Sequence, residues 1–246
     1  MTQRNIKLVI AYDGSTYHGW QTQPDADTIQ YQVELALEKL CGFHIDITGA
    51  SRTDAGVSAL GQTANFKVDS PIPTENFADA LTKFLPDNIA VVLAEQVPDD
   101  FNSITNAVNK HYRYTICTCN VPPVLRIKHC WHYPYSLNAA DMDTGAKLLV
   151  GKKDFKSFAS AADTRTSSVR TVNRCEVTKD NDWIYIDIDG DGFLYNMVRN
   201  ITGTLVEIGR GRWTPDRIDD ILAAKDRTAA GPLAPASGLC LMRIDY

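Results

Sequence analysis

The sequence predicts an α+β protein built from two similar halves. Strands and helices alternate along all 246 residues, and a strand that ends in Asp-Gly and leads into aromatic residues occurs twice, as IAYDGSTYHGW and as IDIDGDGFLYNM. We interpret the pair as an internal duplication with a boundary near residues 103–108, giving domains of residues 1–105 and 106–246. Halves that share an extended, mainly antiparallel sheet flanked by helices would place a cleft at their junction, where binding sites often lie.

The first half opens with an apolar, β-branched run that predicts a strand over residues 7–12, ended by the Asp-Gly turn. A helix is predicted next, because apolar residues recur at spacings of three and four from residue 29 to residue 40. Asp27 with Gln30 forms a capping box at its start, and Gly42 supplies its C-terminal cap. The remaining elements of this half are strands over 45–50, 62–68 and 89–97 and a helix over 74–85.

The second half repeats this alternation with different lengths. Its strands are indicated by β-branched and alternating residues, and its helices by apolar spacing and by a proline that suits a first helical turn. The predicted strands cover residues 112–119, 169–178, 183–189 and 239–246, and the predicted helices cover 138–150, 194–208 and 215–225.

The charge distribution favours a polyanionic partner although the total charge does not. A net charge of -5 argues weakly against nucleic acid, since phosphate binding needs local positive charge. Residues 106–174, however, carry eleven lysines and arginines against four aspartates, which is +7 and leaves -12 for the rest. A basic segment between acidic ends suits a polyanion-binding face, and an unevenly charged solvated surface fits the same count.

The composition predicts a cytoplasmic protein. No run of eighteen apolar residues is present, and the first residues lack a basic region, an apolar stretch and a cleavage site, so neither a membrane span nor a secretion signal is expected. Six cysteines in such a chain are expected to be reduced thiols.

Two segments carry metal-ligand residue types in unsuitable patterns. DIDGDGFLYNMV matches the opening of a calcium loop, but its twelfth position is Val198, where a bidentate glutamate is required. Cys117, Cys119, Cys130 and His132 have the ligand types of a zinc site, but their spacing is wrong, and Cys-x-Cys on a strand more simply places two small side chains on one face. The sequence therefore predicts no metal.

The stretch GASRTDAGVSALGQ, residues 49–62, sets two charges among small residues. The residues before Arg52 allow another backbone or a ligand to approach closely, and Ala55-Gly56 permits a tight turn after Asp54. Asp54 is therefore expected at a loop tip. On the residues alone, a functional carboxylate and an ordinary turn aspartate with an arginine partner both remain open.

Two further segments combine charges with aromatic residues. In KHYRY a strand would place Tyr112 and Tyr114 on one face and Arg113 on the other. In FLYNMVRN, Arg199 lies on the flank of a helix, where an arginine is usually solvated.

Together these segments resemble the tRNA pseudouridine synthase A family. RTDAGV and MVRN, in this order and separation, are the most specific pieces. The matching segments run nearly end to end: YDGSTYHGWQTQP, SRTDAGVSALGQTANF, LPDNIAV, VPDDFNS, KHYRY, DFKSF, GFLYNMVRNITGTLVEIGRG, LAAKDRT and APASGLCLMRIDY.

The resemblance implies a pseudouridine synthase fold and an isomerase that converts uridine to pseudouridine in transfer RNA. The expected sites are positions 38, 39 and 40 of the anticodon stem-loop, the expected assembly is a homodimer, and no metal or other cofactor is implied. The reaction breaks the C1′–N1 glycosidic bond and forms a C1′–C5 bond, so positive character develops on the sugar, as in glycosidases. The resemblance assigns the catalytic carboxylate to Asp54, as nucleophile or as the base that starts glycal formation; both routes remain open.

The same resemblance implies roles for other residues around a flipped base. Tyr112 is expected to stack on the uracil, and Arg199 to pair with the catalytic carboxylate and hold it ionised. Arg52 is expected to assist base flipping, and Leu239 with Leu241 to help close the pocket.

The basic segment is expected to contact RNA phosphates, which position the RNA without reading its sequence. The candidates are Lys152, Lys153, Lys156, Arg165 and Arg170.

The chain also departs from the family pattern. Ser51 and Ser58 stand where the family usually has glycine and histidine, Ser103-Ile104 replaces an Ala-Arg pair, and Cys240 replaces a tyrosine. Loss of that arginine removes an expected RNA contact. The alternatives are therefore a divergent paralogue that modifies another RNA site, a non-catalytic tRNA-binding or tRNA-folding protein and, third, a zinc-dependent RNA enzyme.

Overall fold

The computed structural model describes residues 3–246, which divide into two compact units. The first unit runs to Val108 and also includes Leu241–Tyr246, and the second unit is Asn109–Cys240. The sequence places the boundary at 105/106 and assigns the last residues to the second half, whereas the final six residues cluster with the first unit. In the described part of the chain, no helix has the length and apolar character needed to cross a membrane.

The first unit contains an antiparallel sheet in which β1 pairs with β3 on one side and with β4 on the other, while β2 pairs with β3. The last six residues add most of β10 to this unit. The strands are β1 (Arg4–Tyr12), β2 (Thr48–Gly49), β3 (Ser58–Val68), β4 (Ile89–Val97) and β10 (Leu239–Asp245).

Alternating apolar residues of β1 build the core of the first unit. Ile6, Leu8 and Ile10 are fully buried, as a period of two on one face of a strand requires. On β3, Phe66 meets Phe77 of the second helix edge to face, with ring centroids 5.9 Å apart. The helices of this unit are α1 (Ile29–Cys41) and α2 (Phe77–Thr82).

The ends of α1 follow the sequence prediction only in part. Gly42 is the C-terminal cap, with φ of 85° and an N–H that donates to the Glu38 carbonyl over 2.8 Å, so that prediction is confirmed. The capping box is wrong, because Thr28 is the N-cap residue and its hydroxyl accepts from the Tyr31 N–H. The Gln30 carboxamide donates instead to Glu34, over 2.8 Å.

The second unit contains a sheet in the order β5-β9-β8-β7, antiparallel throughout, with β6 pairing parallel to β5. Its two shortest strands, β6 and β7, were not predicted because two and four residues are too few to show a periodic pattern. The strands are β5 (Asn109–Cys117), β6 (Trp131–His132), β7 (Gly151–Asp154), β8 (Val169–Asp180) and β9 (Trp183–Gly190).

A buried helix, α4 (Met197–Gly209), organises the second unit. Twelve of its thirteen residues are buried, and Arg199 is the exception. Two of its buried polar side chains bond main-chain carbonyls: the Asn200 amide donates to the Phe158 carbonyl and the Thr204 hydroxyl to the Asn200 carbonyl, each over 2.8 Å. The other helices of this unit are α3 (Ala139–Lys147) and α5 (Arg217–Ala224).

One face of this sheet carries buried charges. Asp187 on β9 accepts hydrogen bonds from His111 over 2.7 Å and from Arg113 over 2.9 and 3.0 Å. Tyr112 and Tyr114 lie on the opposite face, as predicted, because alternate residues of a strand point to opposite sides. On that face the Tyr114 hydroxyl donates to the Pro235 carbonyl. Asp189 of the same calcium-like segment pairs with Arg174, and Asp191 accepts from the Thr171 N–H, so all three aspartates have partners within the protein.

The cysteines are not all free thiols. Cys117 and Cys119, at the end of β5, form a disulfide with their Cα atoms 5.6 Å apart, so the prediction of six reduced thiols is wrong for this pair. Among the described residues, Cys41, Cys130, Cys175 and Cys240 take part in no disulfide. Within residues 3–246, no three histidine, cysteine or acidic side chains are grouped to hold a metal ion.

The Asp187 cluster predicts an acid-sensitive component of stability. Burial would raise the pKa of Asp187, but the hydrogen bonds from His111 and Arg113 outweigh it and lower that pKa. The pKa of an aspartate in the unfolded chain is about 3.9, and the pKa of Asp187 in the folded protein is lower. This stabilisation is therefore complete above the unfolded pKa and is lost as the pH falls through the folded pKa. We expect Asp187→Asn to reduce the unfolding free energy at pH 7 by about 1–3 kcal/mol.

Urea unfolding between pH 7 and pH 3 measures this effect. The unfolding free energy of the Asp187→Asn variant should fall less steeply than that of the wild type below about pH 4. Asp182→Asn, at an exposed position in the β8–β9 turn, is the matched control and should follow the wild type. Parallel curves for wild type and Asp187→Asn would contradict the prediction.

Candidate active site

The candidate catalytic aspartate lies on residues 50–57, here called the Asp54 loop, where the chain leaves the sheet between β2 and β3. The last ladder bond before the loop runs from the Ala50 N–H to the Thr63 carbonyl, over 2.8 Å. Asp54 is half-buried and Arg52 is exposed. The predicted tight turn is confirmed, because the Val57 N–H donates to the Asp54 carbonyl over 3.1 Å and Gly56 has φ of 80°.

The segment after β1, residues 13–20, holds the outer side of this loop. The Trp20 N–H donates to the Thr53 carbonyl over 3.1 Å, and the Gly56 N–H donates to the Tyr17 carbonyl over 3.3 Å. These bonds supply partners to backbone groups that no longer belong to a strand. The position of Asp54 therefore depends on a segment about forty residues earlier in the chain.

Two glycines allow this close approach. A side chain at Gly14 would collide with the Val57 carbonyl. Gly19 has φ of 92°, and a Cβ there would lie 2.7 Å from the Thr53 carbonyl oxygen. The sequence shows the Asp-Gly pattern and the aromatic residues of this segment, but not that its glycines face the Asp54 loop.

Buried polar side chains hold the inner side of the loop, and the sequence prediction missed them. The hydroxyls of Tyr12 and Thr53 form a buried hydrogen bond of 2.8 Å. Gln62 on β3 is fully buried, and its carboxamide contacts the Ser51 backbone. The available signal is a glutamine in an otherwise apolar and small stretch of strand, GQTANF.

The remaining predicted uridine-binding residues belong to the second unit. Tyr112 is 6% exposed and packs edge to face on Phe193, with ring centroids 5.4 Å apart. Leu239 is buried, at 7% exposure. Stacking of Tyr112 on uracil and closure of a pocket by Leu239 stay predictions.

Arg199 is fixed by its surroundings in the second unit. Its Nε donates to the Ala234 carbonyl over 2.8 Å, and its Nη1 donates to the Asn196 side-chain oxygen over 3.2 Å. Two directional bonds hold the planar guanidinium in one orientation. Its pairing with the Asp54 carboxylate, and the role of Arg52 in base flipping, stay predictions of the family resemblance.

Several of the predicted RNA-binding residues lie at the edge strand β7. Lys153 pairs in register with Arg170 on β8, and Lys152 with Thr171. Lys156 follows β7 and is exposed. Arg165 is less available, because it forms an ion pair of 2.6 Å with Asp163. The register therefore places Lys153 and Arg170 side by side on one face, whereas Lys152, one residue earlier on the strand, points to the other face.

Lys110 is a further cation that the sequence prediction did not select. Burial, and then repulsion by Arg165, lowers the pKa of Lys110 to about 8.

The departures from the family pattern have different surroundings. The Ser58 hydroxyl accepts from the Gly14 N–H over 3.1 Å, which ties the end of the Asp54 loop to the segment that holds it. Ser103 is fully buried and donates to the Thr48 carbonyl over 2.6 Å. Ile104 is 54% exposed, so its replacement of an arginine changes the surface.

The chain was compared with known proteins. The family model described as tRNA pseudouridine synthase matches residues 8–106 and 146–246. Proteins named tRNA pseudouridine synthase A from a Thermoanaerobacter species and from Moorella thermoacetica are 44% and 45% identical to it, over 99% and 98% of this chain and 100% and 99% of theirs. A crystal structure of a Cbf5-Nop10-Gar1 complex matches 81% of this chain and 54% of that chain, at 9% identity and a TM-score of 0.34, which is too distant to bear on function. From the family model and the full-length relatives, the chain belongs to the tRNA pseudouridine synthase family.

Proposed function

We propose that this protein isomerises uridine to pseudouridine in transfer RNA, at positions 38, 39 and 40 of the anticodon stem-loop and without a cofactor. Membership of the family over nearly the whole chain carries the proposal. The Asp54 loop supports it, because a half-buried carboxylate stands on a small-residue loop whose backbone is held from two sides.

Asp54 supplies the carboxylate that the reaction requires. As the C1′–N1 bond breaks, positive character develops at C1′, and a carboxylate nearby stabilises it. Asp54 either adds to C1′ or removes a proton from C2′ to give a glycal. In the first route C5 of the rotated uracil displaces the Asp54 carboxylate from C1′, and in the second C5 bonds to C1′ of the glycal while the proton returns to C2′. In both routes the C5 proton is then lost and N1 gains a proton.

A uridine in a stem must leave its stack to reach Asp54, which costs a few kcal/mol. The small residues around Asp54 leave room for a nucleotide, and Arg52 is exposed and free to reach RNA beside it. We assign to Tyr112 the stacking on the flipped uracil, to Arg199 the orientation of the catalytic carboxylate and to Leu239 a wall of the uracil pocket.

The basic edge strand supports a tRNA substrate. Lys153 and Arg170 are paired on one face of neighbouring strands, where they suit contacts to RNA phosphates, and Lys152 adds a cation at the same sheet edge on the other face. Lys156 and Arg165 extend this surface. We also propose that the protein acts in the cytoplasm as a homodimer that binds tRNA with both subunits.

A divergent paralogue is the second candidate, favoured by the exposed Ile104 in place of a family arginine. It would perform the same isomerisation on a different uridine. A non-catalytic RNA-binding protein is the remaining alternative. The Asp54→Asn variant distinguishes it from the two enzymatic candidates.

Asp54→Asn tests catalysis directly. The amide keeps the size of the side chain but can neither add to C1′ nor accept a proton, so pseudouridine formation should be abolished. Affinity for tRNA should stay within about tenfold, because only the chemical step loses its group. Chemical mapping of pseudouridine and filter binding measure the two effects, with Asp46→Asn, on an exposed aspartate of the same unit, as the control. Product formation by Asp54→Asn at the wild-type rate would refute the assignment.

Target position is tested with tRNA transcripts that keep uridine at one of positions 38, 39 and 40 and carry cytidine at the other two. The wild-type protein should form pseudouridine in each. Product at some other uridine, with none at these three, would support the divergent paralogue instead. No product on any tRNA would remove both enzymatic candidates.

Lys153→Ala tests the phosphate contacts. We expect weaker tRNA binding and a salt dependence whose logarithmic slope falls by about one, with little change in rate at saturating tRNA. The control is Lys39→Ala, on the exposed side of α1. An unchanged salt slope in Lys153→Ala would place the RNA elsewhere.

A further inference from the structure

The Ser51 backbone has an unusual hydrogen-bond partner. β2 pairs with β3 through Thr48 and Gly49, and one more ladder bond forms at Ala50. At Ser51 the side chain of Gln62 serves as a partner: its Oε1 accepts from the Ser51 N–H over 3.2 Å and its Nε2 donates to the Ser51 carbonyl over 2.6 Å. A carboxamide thus makes the two bonds that a neighbouring strand residue makes in a ladder.

The same carboxamide lies next to a second anchor. Its Nε2 is 3.5 Å from the Tyr12 hydroxyl, which in turn bonds the Thr53 hydroxyl over 2.8 Å. Gln62, Tyr12 and Thr53 are all buried. Ser51 and Thr53 are therefore both held from the inside of the unit, and Asp54 follows directly.

We propose that Gln62 is a positioning residue for the Asp54 carboxylate, acting through the Ser51 backbone and, together with Tyr12, through Thr53. This inference rests on the proposed function, in which Asp54 is the catalytic carboxylate. Gln62 does not touch the uridine and takes no part in bond making. It fixes where the chain stands three residues before Asp54.

Small displacements of a reacting group have large effects on rate. A misplacement of about 1 Å lowers the reaction rate about a hundredfold, because the attacking atom must lie close to C1′ and be aligned with the bond that forms. A buried and satisfied polar network is rigid, and removing one member leaves its partners without bonds. Loss of the Gln62 carboxamide would leave the buried side of Ser51 to find new partners, and the loop would shift.

Gln62→Met tests the role with a side chain of similar length and no amide. The matched control is Asn5→Leu. Asn5 is equally buried in the same unit; its carboxamide donates to the Pro98 and Phe101 carbonyls over 3.0 and 2.9 Å and accepts from the Asn65 amide over 3.0 Å, and none of these partners belongs to the Asp54 loop. Both variants remove a buried carboxamide that bonds main-chain groups, so both should lower the melting temperature.

Single-turnover kinetics with enzyme in excess, together with tRNA affinity, separate positioning from stability. We expect Gln62→Met to lower the rate constant at saturating enzyme by about tenfold to a hundredfold while the dissociation constant changes less than about threefold. Asn5→Leu should keep the wild-type rate constant at a temperature well below both melting points. Equal rate constants for Gln62→Met and Asn5→Leu would overturn the inference.

Tyr12→Phe provides an independent variant if Gln62→Met does not fold. It removes only the hydroxyl that holds Thr53, so we expect a rate constant lowered by about threefold to tenfold with unchanged tRNA affinity. A wild-type rate constant in Tyr12→Phe would then overturn the inference. The wild-type protein is assayed first: absence of pseudouridine there counts against the proposed function, whereas an active wild type with an equally active Gln62→Met counts against the positioning role alone.

Discussion

The Asp54 loop must hold a carboxylate still without the support of a strand partner. A ladder fixes each residue through two backbone bonds, but residues 51–57 lie outside the strands, and the proposed function requires space for a nucleotide beside Asp54. Other groups take the place of the missing strand partner. The Gln62 side chain bonds the Ser51 backbone, and the Tyr12 hydroxyl and the Trp20 N–H bond Thr53. The Tyr17 carbonyl accepts from the Gly56 N–H. Rigidity therefore comes from the surroundings of the loop and not from its own regular structure.

This solution restricts the surrounding segments. Gly14 and Gly19 are needed because the chain after β1 approaches the loop within van der Waals contact, which a Cβ would prevent. Gly49 is restricted in the same way, since a side chain there would collide with the Trp20 ring. Conserving the small residues of GASRTDAGV alone would not preserve the site, because residues 12–20 and Gln62 form the other half of the same structure.

In the second unit, a buried helix supports Arg199, and the sheet carries buried charges on one face and Tyr112 on the other. Burial of α4 on nearly all sides fixes its axis, so Arg199 projects from a rigid support while its guanidinium is held by Ala234 and Asn196. The sheet isolates its charged face from Tyr112, because alternate residues of a strand point to opposite sides. Basic side chains at the β7 edge give an acidic protein a local positive surface, which is the quantity that governs phosphate binding.

Long periodic elements and the local turn at Asp54 could be predicted from the sequence, and distant contacts could not. Apolar spacing located α1 and α4, but β6 and β7 are too short for a period. The N-cap of α1 is Thr28 and not Asp27, and the Gln30 side chain bonds Glu34 instead of completing a capping box. Asp54 stands out within its own motif. Gln62 and Tyr12 are separated by fifty residues and share no local pattern, so their joint role appears only after β1 and β3 are paired.

The departures from the family pattern fall into two physical classes, and this bears on what selects the uridine. Ser58 and Ser103 are engaged with main-chain groups of the first unit, where they support the loop and the strand beside it. Under the proposed function, a substitution at either position is compatible with catalysis when the new residue still bonds these main-chain groups, and Ser58 and Ser103 do so. Ile104 is different, because half of its surface is exposed and it has exchanged a cation for an apolar group. Under the proposed function, chemistry and RNA selection can therefore diverge independently: buried substitutions beside the Asp54 loop are constrained by the position of the carboxylate, whereas an exposed one such as Ile104 changes the surface offered to RNA.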